Sequence, residues 1–117
     1  MKNFSRLFKP HLDISDLKAV KKVFDKNWIG LGEEVGTFEN EFSSFIGSKY
    51  CCAVNSGTAA LHLALSALNL KPKKKVLVNN LTFVASASVI LMNNLVPVFV
   101  DCDKNSLQID IEDLKKK

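Results

Sequence analysis

The run Asn55-Ser56-Gly57-Thr58-Ala59-Ala60-Leu61 carries the residues best suited to chemistry. An apolar stretch, Tyr50 to Val54, leads into it, and an alanine- and leucine-rich stretch leads out. Strand, small polar and glycine turn, then helix makes a place for an anion. The first N–H groups of a helix have no internal partner, and the helix dipole adds partial positive charge there. A phosphate suits such a place: Ser56 and Thr58 offer hydroxyls, and Gly57 permits close approach of the backbone. The same residues also suit an ordinary N-cap, since serine and threonine begin helices widely. Phe83, an aromatic opening a later helix, has two uses: stacking on a planar ring beside that phosphate, or packing beneath its own helix, the commoner fate of an aromatic in apolar context. Asp101 and Asp103, one residue apart, place both carboxylates on one side of an extended chain. Without further oxygen ligands they make a weak metal site, and turn formation or capping is the better use. His62 falls on a polar helical stripe as a surface or interface residue rather than a base.

These residues need elements to hold them. Asp13 to Lys26 reads as an amphipathic helix with Leu17, Val20 and Phe24 on one face, capped by Asp13 or Ser15. Trp28-Ile29-Gly30-Leu31-Gly32 is a loop, with Trp28 either a core anchor or an exposed contact. A second helix runs from about Glu34 to Ile46, bearing Phe38, Phe42 and Phe45, with Gly47 as its terminator. Strands are expected at Tyr50 to Val54, Lys75 to Val78 and Val96 to Val100, and helices at Thr58 to Asn69 and Val84 to Asn93. Strands without polar alternation, separated by helices, predict a β-α-β-α-β unit with a parallel sheet buried on both faces. Ligands of such sheets bind at the carboxyl ends of the strands, which is where Asn55 to Thr58, Asn79 to Phe83 and Asp101 to Lys104 fall. Leu107-Gln108-Ile109 reads as extended. Asp110 reads as the cap of a last helix, with Asp113 at the capping-box position.

Composition bounds the function classes. At 117 residues and 47% hydrophobic the chain is ordinary globular sequence, enough for one small domain or part of a larger one. The net charge of +4 owes much to Lys115-Lys116-Lys117. No basic stripe is interleaved with aromatics, so a nucleic-acid groove is not indicated. Cys51, Cys52 and Cys102 form no CxxC and read as buried reduced thiols of a cytosolic protein. Met1-Lys2-Asn3-Phe4-Ser5-Arg6 lacks a signal-peptide core, and the longest apolar stretch, Val84 to Met92, is too short to span a bilayer.

From Gly32 to Asp113 the sequence resembles the opening of the DegT/DnrJ/StrS-type family of pyridoxal 5′-phosphate (PLP)-dependent sugar aminotransferases. The resemblance runs through Gly32-Glu33-Glu34-Val35, Phe38-Glu39, Phe42 and Gly47. It continues through Asn55 to Leu65, then Thr82-Phe83-Val84-Ala85-Ser86-Ala87 and Pro97-Val98-Phe99-Val100-Asp101. The order and spacing of these blocks, rather than any one of them, make it specific. It implies an α/β fold, the N-terminal part of the large domain of a fold-type-I PLP-dependent transferase, with two helices ahead of the parallel core. It implies a division into residues 1–47, an arm with a substrate and dimer-interface loop, and residues 48–117, the first part of the PLP-binding domain. Gly57 and Thr58, with Ser56, match the positions that hold the cofactor phosphate, and Phe83 matches the aromatic that stacks on the pyridine ring. The loop Gly30 to Gly32 matches a segment near the substrate. Partners would be a nucleotide-linked keto-sugar, an amino donor such as glutamate, and a second copy in a cytoplasmic homodimer.

Transamination also needs a lysine to hold the cofactor and move a proton, and a carboxylate beside the pyridinium nitrogen. In this family both lie beyond the residues present. Lys49 and Lys73 to Lys75 precede strands, at the wrong end of the sheet, and Lys104 matches no catalytic position. The expectation is a chain that stops before the Schiff-base lysine and is inactive alone. Two alternatives stand beside it: a sugar dehydratase of the same family, in which histidine replaces the lysine, and a non-catalytic module that binds a phosphate ligand or dimerises.

Overall fold

The computed structural model describes residues 8–117; the leading segment Met1 to Arg6, and the start of the 1–47 arm, lie outside them. The chain divides into two compact units, one ending at Cys51 and one running Cys52–Lys117.

In the first unit, α1 spans Ile14–Asp25. Asp13, not Ser15, caps it. The Asp13 carboxylate accepts the Ser15 N–H, and Asp16 accepts the Asp13 N–H at 2.8 Å, a reciprocal capping box. The Ser15 hydroxyl and amide, both donating to Asp13, hold its carboxyl below the usual aspartate range. The second helix, α2, spans Glu33–Ile46. Glu33 and Glu34 in its first turn complement the dipole, and Gly47 ends it in the left-handed region (φ 71°). Only a residue without a β-carbon takes that conformation cheaply. Phe38 and Phe42 stack with centroids 5.7 Å apart, one turn from each other as their spacing predicts. The apolar face of α1, Leu17, Val20 and Phe24, stays exposed, and no described residue of this unit is buried.

The second unit holds the core. β1 (Lys75–Asn79) and β2 (Val96–Val100) pair in parallel, Lys75 opposite Val96 through Asn79 opposite Val100. They are joined by α4 (Ala85–Met92), whose sequence is apolar almost all round and so buries on whichever side it packs. Against α4 lies α3 (Gly57–Ala67). Val78, Ile90 and Leu95 form the centre, with Leu65 and Val76 packed on it, and Val100 is fully buried.

The α/β class with two leading helices is the one the sequence predicts, with differences of detail. Tyr50 to Val54 forms no strand, and among the described residues the sheet has two strands rather than three. Five apolar residues become a strand only where a neighbour offers ladder partners, and β1 and β2 pair with each other alone. The sheet is not buried on both faces, since Leu77 and Phe99 remain about half exposed. The thiols are free but not all buried: Cys52 is exposed, and Cys51 and Cys102 are half-buried. Near the end Cys102 and Ile109 make an antiparallel bridge, and Asp110 caps α5 (Ile111–Leu114) by accepting the Glu112 and Asp113 amides. Asp113 does not close a capping box. Its carboxylate instead accepts the Asp101 N–H at 2.9 Å, tying α5 to the end of β2.

Candidate functional site

The start of α3 is built as an open cap. Ser56 has extended backbone (φ −161°, ψ 157°), and its Oγ accepts the Ala59 N–H at 3.1 Å. The Ser56 carbonyl accepts the Ala60 N–H at 3.0 Å. The Gly57 and Thr58 amides, first in the helix, are left without an acceptor among the described residues. No acidic side chain lies in this first turn, so the positive end of the dipole is not neutralised. A β-carbon built on Gly57 meets nothing within 4 Å, and its backbone lies outside the left-handed region. Neither conformation nor a neighbour in this chain calls for glycine there. The space is free for something that approaches the backbone from outside. Ser56 and Gly57 are exposed and Thr58 is half-buried.

A tie at the far ends of two helices sets where this cap sits. The Ser66 hydroxyl donates to Asn93 Oδ1 at 2.5 Å, and Asn93 Nδ2 donates to the carbonyls of Val89 (2.8 Å) and His62 (3.5 Å). Ser66 lies in the last turn of α3 and Asn93 caps the end of α4. Nearer their starts, Leu61 and Ser86 line one groove of about 430 Å³. The helices therefore run in the same sense. Because α4 begins at the carboxyl end of β1, the start of α3 lies at that end as well, where α/β sheets bind ligands.

Phe83 occupies the same end. The residue is 76% exposed and does not pack beneath α4. The loop that presents it is pinned on both sides. The Leu81 N–H donates to Asn79 Oδ1 at 3.2 Å and the Asn80 N–H to the Val100 carbonyl at 2.8 Å. The Ser86 N–H donates to the Phe83 carbonyl at 3.0 Å, and the Thr82 and Ser86 hydroxyls meet at 3.0 Å. A rigid loop holding a large ring in water suits stacking.

The aspartates serve structure. Asp101 accepts the Cys102 N–H at 2.8 Å. Asp103 accepts the Ser106 amide and hydroxyl, both at 2.8 Å, and the Asn105 amide at 3.2 Å. These donors, the Ser106 amide foremost, hold its carboxyl below the usual range. Lys104 is exposed in that turn. Among the described residues no three His, Cys, Asp or Glu side chains gather to hold a metal ion. No helix among them is long and apolar enough to cross a membrane. His62 is half-buried, and its carbonyl, not its imidazole, takes part in the helix tie. Sequence reasoning missed the role of Asn93 and gave Asp113 a local one, because each acts on a partner remote in sequence. Asn93 carries one local signal, a polar side chain at the end of an otherwise apolar helix.

In the first unit Trp28 is exposed, and its indole N–H donates to the Leu31 carbonyl at 2.9 Å. Lys26 sits between Glu34 (3.1 Å) and Glu33 (3.4 Å), and these carboxylates, Glu34 foremost, raise its pKa.

The chain is similar to known proteins. GDP-perosamine synthase of Vibrio cholerae is 37% identical over 112 residues, which is 95% of this chain and 30% of that protein. The spore coat polysaccharide biosynthesis protein SpsC of Bacillus subtilis is 40% identical over 101 residues, 86% of this chain and 26% of that protein. The solved structure of E. coli GDP-4-keto-6-deoxy-D-mannose-3-dehydratase with bound hydrated PLP matches with a TM-score of 0.85 at 33% identity, covering 94% of this chain and 30% of that one. The chain thus spans about 30% of the length of the first of these relatives. The sequence pattern of one family matches residues 10–117, and the chain belongs to that family, the DegT/DnrJ/EryC1/StrS aminotransferases.

Proposed function

We propose that this chain forms the phosphate-holding and ring-stacking part of a PLP-dependent enzyme that moves an amino group from an amino acid, glutamate, to a nucleotide-linked keto-sugar. The observation that carries the reading is the pair of unpartnered amides at Gly57 and Thr58, with open space at Gly57, at the same end of the sheet as the exposed Phe83. PLP, when bound, supplies the electron sink for amino-group transfer. The residues present suit it. The Gly57 and Thr58 amides and the Thr58 hydroxyl hold the phosphate, and the helix dipole favours its negative charge. Ser56 keeps one lone pair on the Ala59 amide and turns its hydroxyl proton outward to a phosphate oxygen. Phe83 presents its π-face to the ring, which attracts a cationic pyridinium.

The reading takes residues 48–117 as the first part of the cofactor-binding domain and residues 1–47 as an arm with the substrate loop, in a cytoplasmic homodimer. In this reading the residues present bind and orient the cofactor and the substrate. A dehydratase is the second reading, favoured by the match to the E. coli dehydratase. Both reactions use the same cradle, and they part at the lysine or histidine outside these residues.

The test is calorimetry with pyridoxamine 5′-phosphate, which lacks the aldehyde that would react with surface lysines. Binding that disappears when pyridoxamine without phosphate is used supports the reading. Equal binding of the two compounds, or none, removes it.

A further inference from the structure

The loop between α1 and α2 braces itself from within. After Lys26 closes α1, Asn27 takes a left-handed conformation (φ 51°) and turns the chain. Trp28 then reaches along the loop: its indole N–H donates to the Leu31 carbonyl at 2.9 Å, and its ring edge lies on Gly32. A β-carbon on Gly32 would stand 2.9 Å from Trp28 Cδ1 and 3.2 Å from Nε1, closer than the ring permits without moving. At Gly30 the nearest atom would be 3.8 Å away, an ordinary contact. Gly32 has φ −142° and ψ −169°, extended backbone that any residue adopts. Its lack of a side chain therefore serves the indole and not the backbone. Outside this contact Lys26 grips Glu33 and Glu34 across the base of the loop.

We propose that Trp28 is a positioning residue: it sets the course of the Gly30–Gly32 loop before any ligand arrives, and Gly32 is the seat that its ring requires. The loop holds Ile29 and Leu31 in water, at 78% and 84% exposure, while its own contacts fix its path. A loop ordered in advance does not lose that conformational freedom on binding, which favours affinity. The bearing on substrate rests on the proposed function, in which this loop lies near the sugar; the brace itself does not.

Trp28 is the only tryptophan, so its fluorescence reports the brace directly. Serine is a better N-cap than glycine, so Gly32→Ser should strengthen the start of α2 while its β-carbon expels the indole. The expected result is emission shifted to longer wavelength and stronger acrylamide quenching in Gly32→Ser, with Gly30→Ala matching the unsubstituted chain. Gly32→Ser that matches the parent overturns the proposal, as does Gly30→Ala that moves as far. Should Gly32→Ser not fold, the unsubstituted chain still decides. Its indole N–H should exchange with solvent more slowly than that of free tryptophan, and an equal rate overturns the proposal. Both readings are independent of phosphate binding, so the brace and the proposed function can fail separately.

Discussion

Gly57 illustrates how a residue can be read once its surroundings are known. Inside a helix glycine is less favourable than alanine by roughly 0.5–1 kcal/mol, and at position 57, the first of α3, part of that cost applies and nothing in this chain favours glycine. Gly57→Ala should therefore raise the thermal stability of the chain while weakening pyridoxamine 5′-phosphate binding by roughly tenfold, the loss expected when one charge-assisted hydrogen bond is disturbed. A variant that is more stable and binds equally well would take the phosphate away from this residue. Asp103 gives a pH-dependent test. Donors from Ser106 and Asn105 lower its pKa when folded, so its contribution is full above the ordinary aspartate value of about 3.9 and is lost as pH falls through the lower folded value. Carboxyl NMR should place its midpoint below that of aspartate in a peptide, and a midpoint at or above that value would contradict the turn. The Asn55 to Thr58 cap and the Asp103 turn were legible in sequence because both are local chemistry, with partners within a few residues. The seat of Trp28 on Gly32 was not, since the loop sequence fits an anchored or an exposed indole equally well.

At the scale of elements, periodicity and caps placed the helices to within a residue or two. The helix expected over Thr58 to Asn69 ends at Ala67, and Asn69 takes a positive φ of 47°. Strand Val96 to Val100 falls where its β-branched run predicts. The first strand was misread because Tyr50 to Val54 has the composition of a strand, while pairing depends on a neighbour that composition does not reveal. The tie between α3 and α4 was equally hidden. Ser66→Ala and Asn93→Ala in a double-mutant cycle should show a coupling of about 0.5–1.5 kcal/mol in chemical denaturation, the net value of one hydrogen bond. Strict additivity would mean that the tie does not hold the helices in register. Amide exchange tests the sheet: Cys52 and Val54 should exchange faster than the paired amides of β1 and β2, and comparable protection would mean that a third strand forms.

For the whole molecule, the second unit has a small core and an ordered ligand end, whereas the first has caps and braces but, among its described residues, none that is buried. Family membership explains why the second unit reads so clearly. The family pattern matches residues 10–117, which takes in the whole of this unit. The proposed function stands or falls on the start of α3 being a phosphate cradle. Its most direct test is an amide-resolved NMR titration of the chain with pyridoxamine 5′-phosphate, repeated on Gly57→Val, whose branched side chain fills the open space beside the helix start. In the parent, the Gly57 and Thr58 amides should move most. In the variant, the amide of the substituted residue and that of Thr58 should stay still. Movement centred elsewhere in the parent, or an unchanged response in the variant, would refute the cradle.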